Sequence, residues 1–137
     1  MTATLIARDE IAPAVISAVE EALGLDSDEA ASDATLLDDL GVESIDLLDI
    51  LFRIERAVGV KIQASELHQY IQGGIPDEQF GDENEIITEA GLAQLKRVMP
   101  QIDTDELAGN LQATQVMGLF TVDNLIDLVI RHIEAAA

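Results

Sequence analysis

Gly41-Val42-Glu43-Ser44-Ile45-Asp46-Leu47-Leu48-Asp49-Ile50-Leu51-Phe52-Arg53-Ile54-Glu55-Arg56-Ala57-Val58-Gly59 is the stretch that decides the fold. Successive helical residues stand about 100° apart, so Leu47, Ile50, Leu51, Ile54 and Val58 share one arc of roughly 100°. That is the face a bundle helix turns to its core. It predicts a helix from Ser44 to about Ala57, ending near Gly59. Ile45, Leu48 and Phe52 fall in a second, separate arc, with Ser44 and Glu55 at one edge and Asp49 and Arg56 at the other. A short helix rarely buries both sides. An exposed apolar stripe with a charged rim is a docking surface; the alternative is that residues 71–118 fold over it. Ser44 itself reads either as the N-cap of the helix or as a modified residue bearing a phosphoester at the positive end of the helix dipole.

Outward from this stretch the chain reads as all-α. A first helix is expected from about Asp9 to Leu23, with Ile11, Val15, Val19 and Ala22 at helical spacing, Pro13 near its start and Gly24 ending it. Residues 3–8 read as an extra frayed turn. Residues 24–40 form a polar connection in which Leu36, Leu37 and Leu40 are expected to anchor the loop to the core. Val60, Lys61 and Ile62 read as extended, and Ser65 as the cap of a short turn reaching Tyr70. Gly73-Gly74, Pro76 and Gly81 form a breaker cluster. Thr88 then caps a helix with Leu92, Leu95 and Met99 on one side, stopped by Pro100. Asp103 with Glu106 suggests a capping box. Thr121 caps a last helix from Val122 to about Ala135, its apolar arc being Val122, Leu125, Ile126, Val129 and Ile133.

The composition narrows the function. At 137 residues one domain is expected, and aromatic residues make up only 3%. The core must therefore be aliphatic. Twenty-seven acidic residues against seven basic ones give a net charge of −20. This disfavours nucleic acid and anionic membranes and favours basic protein surfaces as partners. No cysteine is present, which excludes disulfides and thiolate chemistry. No basic segment followed by an apolar run opens the chain, and no stretch is apolar over a membrane span, so the cytoplasm is expected.

The run Leu36-Leu37-Asp38-Asp39-Leu40-Gly41-Val42-Glu43-Ser44-Ile45-Asp46, continuing through Leu47-Leu48-Asp49 to Gly59-Val60-Lys61-Ile62, resembles the acyl carrier proteins. Thr121-Val122-Asp123-Asn124-Leu125-Ile126-Asp127 resembles the start of that family's last helix. Together the resemblance covers roughly residues 8–70 and 120–135. It implies a four-helix acyl-carrier-like bundle in which Ser44 bears a covalent 4′-phosphopantetheine arm. The arm's thiol would hold acyl groups as thioesters. The resemblance also implies that Glu43, Ile45, Asp46, Leu48, Asp49, Phe52, Glu55 and Arg56 meet partner enzymes. Those partners would be a phosphopantetheinyl transferase and acyl-loading and acyl-transfer enzymes with basic surfaces, the carrier itself being a monomer.

Three departures from the family pattern point to a specialised pathway of lipid or secondary metabolism. Glu43 stands where Asp usually precedes the serine. Arg53, Arg56 and Lys61 bring positive charge to or near a largely acidic helix. Between about Tyr70 and Leu119, roughly residues 71–118 read as an insertion within a single carrier domain spanning 1–137. An aminoacyl or peptidyl carrier and an unmodified acidic helical adaptor are the alternatives.

Nothing in the sequence assembles a nucleophile, base and oxyanion site, so no catalytic residue is expected. Asp26-Ser27-Asp28 lacks the glycine and the glutamate of a calcium loop. His68 and His132 have no ligand-like spacing, and His132, bordering the last apolar arc, reads as structural.

Overall fold

A computed structural model of the protein describes residues 8–25 and 33–136. The expected frayed turn at 3–8 lies almost wholly outside them, and Asp26-Ser27-Asp28 wholly so. Among the described residues seven α-helices follow in order: α1 (Arg8–Leu23), α2 (Ser44–Val58), α3 (Ala64–Gln72), α4 (Asp77–Phe80), α5 (Glu89–Val98), α6 (Thr104–Leu107) and α7 (Val122–Ala136). A 3-10 helix, η1 (Ala113–Leu119), precedes α7. No strand occurs among the described residues. Three isolated antiparallel bridges pin loops together, at Thr35 and Thr121, Gly81 and Ile87, and Ile86 and Gln112.

The periodic helices form for the reasons their spacing gave. α1 packs against both α2 and α7, burying Ile11, Val15 and Val19 against Ile50, Leu51 and Ile54 and against Val122, Leu125, Ile126 and Val129. Gly24, at φ +69°, ends α1. The Leu25 N–H donates to the Glu20 carbonyl at 2.8 Å, satisfying one of the orphan acceptors of the last turn. Gly59, at φ +79°, ends α2 in the left-handed conformation that favours glycine.

The caps expected at three later helices are present. Thr88 Oγ1 accepts from the Gly91 N–H at 3.1 Å. Asp103 Oδ1 accepts from the Asp105 and Glu106 N–H groups, which is the Asp103 half of the expected capping box, and Thr121 Oγ1 accepts from the Asn124 N–H at 3.1 Å. Ser65 does not cap α3. The N-cap lies two residues earlier, at Gln63, and the helix starts at Ala64.

Residues 72–120 do not lie over the α2 stripe. Leu92, Leu95 and Met99 are buried as their spacing requires, but α5 turns them toward α3, α4 and α6. They join one continuous apolar cluster with α1, α2 and α7. Gln101 ties the segment to α7 by donating through Nε2 to Asn124 Oδ1 at 2.8 Å. His132 Nδ1 lies 3.1 Å from Glu66 Oε2, linking α7 to α3.

Candidate functional site

The site is built on the first half of α2. The backbone makes Glu43, not Ser44, the N-cap: Glu43 is extended at φ −102° and ψ 172°, and Ser44 is the first helical residue. The reading of Ser44 as N-cap is thereby corrected. Asp46 stabilises the turn, its Oδ2 accepting from the Glu43 N–H at 3.0 Å. The Leu47 N–H is the first to find a helical acceptor, the Glu43 carbonyl at 2.9 Å. Helix geometry leaves the N–H groups of Ser44 and Ile45 without intrahelical acceptors, at the positive end of the α2 dipole.

From this turn an apolar stripe runs along the outer face. Ile45 is 72% exposed, Leu48 58% and Phe52 54%. On the opposite face of the same helix Ile50, Leu51 and Ile54 are buried. The two faces read from the sequence are therefore one inside and one outside, and residues 71–118 leave the outer one open.

The rim is mixed in charge. Glu43 and Arg56 are exposed, while Asp46, Asp49 and Glu55 are half-buried. Arg53 Nε donates to Asp49 Oδ1 at 3.0 Å and its Nη1 lies 4.0 Å from Glu21 Oε2, so Arg53 joins α2 to α1. Arg56 packs over the Phe52 ring. Beneath Leu48 and Phe52 lies a groove of about 430 Å³, lined also by Leu51, Glu55, Lys61, Ile62 and Gln63.

Leu37 is corrected as well. Leu36 is buried and Leu40 half-buried, but Leu37 is 36% exposed. Adjacent residues in a tight turn project to different sides, so Leu36 and Leu37 cannot both reach the core. That turn geometry was the signal available in the sequence.

The comparisons with known proteins agree with this geometry. Residues 13–71, which run from α1 through α3 and include the whole first turn of α2, match the family described as a phosphopantetheine attachment site. The chain is 37% identical over 65 residues to an acyl carrier protein of Thermotoga maritima, covering 47% of this chain and 80% of that protein.

The chain belongs to the acyl carrier protein family.

It is also 34% identical over 67 residues to the acyl carrier protein AcpXL of Brucella melitensis, covering 48% of this chain and 72% of that one. No solved structure matches it. The family match ends at residue 71, so α4, α5, α6 and η1 all lie beyond it. Members of this family are carriers rather than catalysts, and the cofactor of the matched region is phosphopantetheine.

The residues of this carrier fit that group. The start of α2 supplies backbone N–H donors for a phosphodiester, and the residue there is a serine, whose hydroxyl can form the ester. Among the described residues no group of three or more His, Cys, Asp or Glu side chains could hold a metal ion. No helix among them is long and apolar enough to cross a membrane.

Proposed function

We propose that Ser44 carries the 4′-phosphopantetheine of this carrier and that the loaded chain presents an acyl thioester to enzymes of a specialised lipid or secondary-metabolite pathway. The observation that carries this reading is the place of Ser44 at the first residue of the helix whose outer face exposes Ile45, Leu48 and Phe52. When bound, phosphopantetheine supplies the terminal thiol that this cysteine-free chain lacks.

The protein's own residues bind, orient and recruit. The hydrogen bond between Glu43 and Asp46 holds the first turn, and the free N–H groups of that turn favour the phosphodiester. Ile45, Leu48 and Phe52 form the apolar centre of a docking patch, with Glu43, Asp46, Asp49, Glu55 and Arg56 around it. A phosphopantetheinyl transferase and acyl-loading and acyl-transfer enzymes with basic surfaces are its partners. The net charge of −20 steers them toward it.

Residues 1–137 form one carrier domain, monomeric and cytoplasmic, in which about 71–118 are an insertion. Its apolar residues sharing a buried cluster with α1, α2 and α7 support that reading. The specialised pathway is supported by Glu43 before Ser44, by Arg53 and Arg56 on α2, and by the insertion.

Incubation with a phosphopantetheinyl transferase and coenzyme A, followed by intact mass measurement, tests the attachment. One phosphopantetheine is expected on the native chain and none on Ser44→Ala. An unmodified native chain, or an addition that persists in the variant, refutes it.

A further inference from the structure

The loop before α2 and the chain before α7 are stitched together. The Leu36 N–H donates to the Phe120 carbonyl at 3.0 Å, and the Val122 N–H to the Ala34 carbonyl at 3.0 Å. Past this stitch Leu37, Asp38, Gly118 and Leu119 line a cleft of about 530 Å³, with the Asp38 carboxylate lying close to Gly118. Leu107 and Leu111 supply further apolar lining, and Asn110, Thr114 and Gln115 polar lining. Sites for small ligands run from about 300 to 1,000 Å³, so the cleft is large enough for one.

Its wall is fixed by local bonds. The Thr35 N–H donates to Asp39 Oδ2 at 2.9 Å and the Asp39 N–H to Thr35 Oγ1 at 2.9 Å. This locked turn keeps Leu37 partly exposed. The Val42 N–H then donates to the Leu36 carbonyl at 2.8 Å. The chain is thus folded back on the cleft's rim only two residues before Ser44.

We propose that this cleft is a resting site, in cis, for the pantetheine portion of the arm on Ser44. The inference rests on the attachment proposed above. Pantetheine alternates apolar carbon with a hydroxyl and two secondary amides. A purely apolar slot would leave those amides unpaired at a cost. Here apolar and polar groups are interspersed. Asn110 Nδ2 is committed to the Glu106 carbonyl at 3.0 Å, and Gln115 Oε1 to the Gln112 N–H at 2.9 Å. An acceptor, Asn110 Oδ1, and a donor, Gln115 Nε2, are left to meet the two sides of an amide. Asp38 adds negative charge, which suits the neutral pantetheine and leaves the anionic phosphodiester at the start of α2. The segment beyond the family match thereby acquires a role: it shelters the arm between partners.

The test compares nitrogen-15-labelled protein before and after loading, with intact mass reporting the loading. Amide shifts at Asn110, Leu111, Thr114 and Gln115 are expected in the loaded form. A loaded chain whose shifts are confined to α2 and its immediate neighbours overturns the resting site and leaves the attachment standing. An unmodified Ser44 refutes both. A second arm uses the Asn110→Ala, Gln115→Ala double variant; both residues are exposed, and urea denaturation checks that the variant folds although each side chain gives up one local bond to the backbone. Alkylation of the arm's thiol is expected to quicken about fivefold, the weight of roughly one hydrogen bond. An unchanged rate overturns the proposal.

Discussion

The guanidinium carbon of Arg56 lies 5.7 Å from the centroid of the Phe52 ring, one turn back along α2. A cation therefore covers part of an exposed aromatic face. Such a pair contributes about 0.5–1 kcal/mol while solvated and more once desolvated. It gives the outer stripe of α2 a positive edge within an acidic protein, beside the Phe52 ring.

Phe52→Ala is expected to leave folding within about 0.5 kcal/mol of the native value, as for other exposed substitutions. Affinity for the phosphopantetheinyl transferase should weaken about tenfold or more, as for an aromatic anchor. Ile54→Ala, two residues on and fully buried, should instead cost about 2–5 kcal/mol of stability. Urea denaturation and titration calorimetry on both variants separate the two faces of the helix. A Phe52 variant that binds normally would remove the docking role.

Asn124 is 2% exposed and serves two elements. Its Oδ1 accepts from the Thr121 N–H at 3.0 Å and from Gln101 Nε2 at 2.8 Å, while its Nδ2 donates to Gln101 Oε1 at 3.2 Å. Asn124→Ala strands a buried backbone donor and unties the segment before α7. A loss of about 1–3 kcal/mol is expected, measured by urea denaturation. Gln101→Ala keeps the bond to Thr121 and should cost less.

Gly91 sits where α5 crosses the loop after α4. A Cβ there would lie 2.5 Å from the Phe80 carbonyl oxygen and 2.7 Å from Ile87 Cγ2. Helix propensity alone favours alanine over glycine by about 1 kcal/mol. The backbone contact is the larger effect, and Gly91→Ala should destabilise by about 1–3 kcal/mol net, as overpacking does. A thermal melt no lower than that of the native chain would contradict it.

Tyr70, the sole tyrosine, titrates above its ordinary value of 10.0. Burial is the main cause and Asp127 adds to it, while Arg131 opposes both. Because the folded state holds the phenolic proton more tightly, the unfolded state ionises first. The stability contributed by Tyr70 is thus complete below pH 10 and is lost as pH rises through the higher folded value. A spectroscopic titration of tyrosinate in folded and urea-unfolded protein should show the folded midpoint at higher pH. Tyr70→Phe should flatten that alkaline decline.

Much of the candidate site was legible because it is local. The two faces of α2 follow from helical periodicity, and the side-chain bonds of Thr88, Asp103 and Thr121 to nearby N–H groups span no more than three residues. Of the two readings of Ser44, the cap fails for a local reason too: Glu43 and Asp46 hold the same turn one residue earlier. The one-turn helix α4 and the 3-10 helix η1 were not legible. Helices so short have little intrinsic stability and form only where packing holds them, as it does around buried Phe80 and Val116.

By itself the sequence determined the aliphatic helical bundle, the helix that Ser44 opens and the stripe of Ile45, Leu48 and Phe52 beside it. Only the tertiary structure decided that this stripe is open. The apolar face of α5 had two possible partners, and periodicity says that a face must be buried without saying against what. Contacts between residues distant in sequence made that choice: α5 packs on α3, α4 and α6, and Gln101 fastens the segment to Asn124. The same fold leaves the cleft lined by Leu37 and Leu119 open, in the loop that leads to α2.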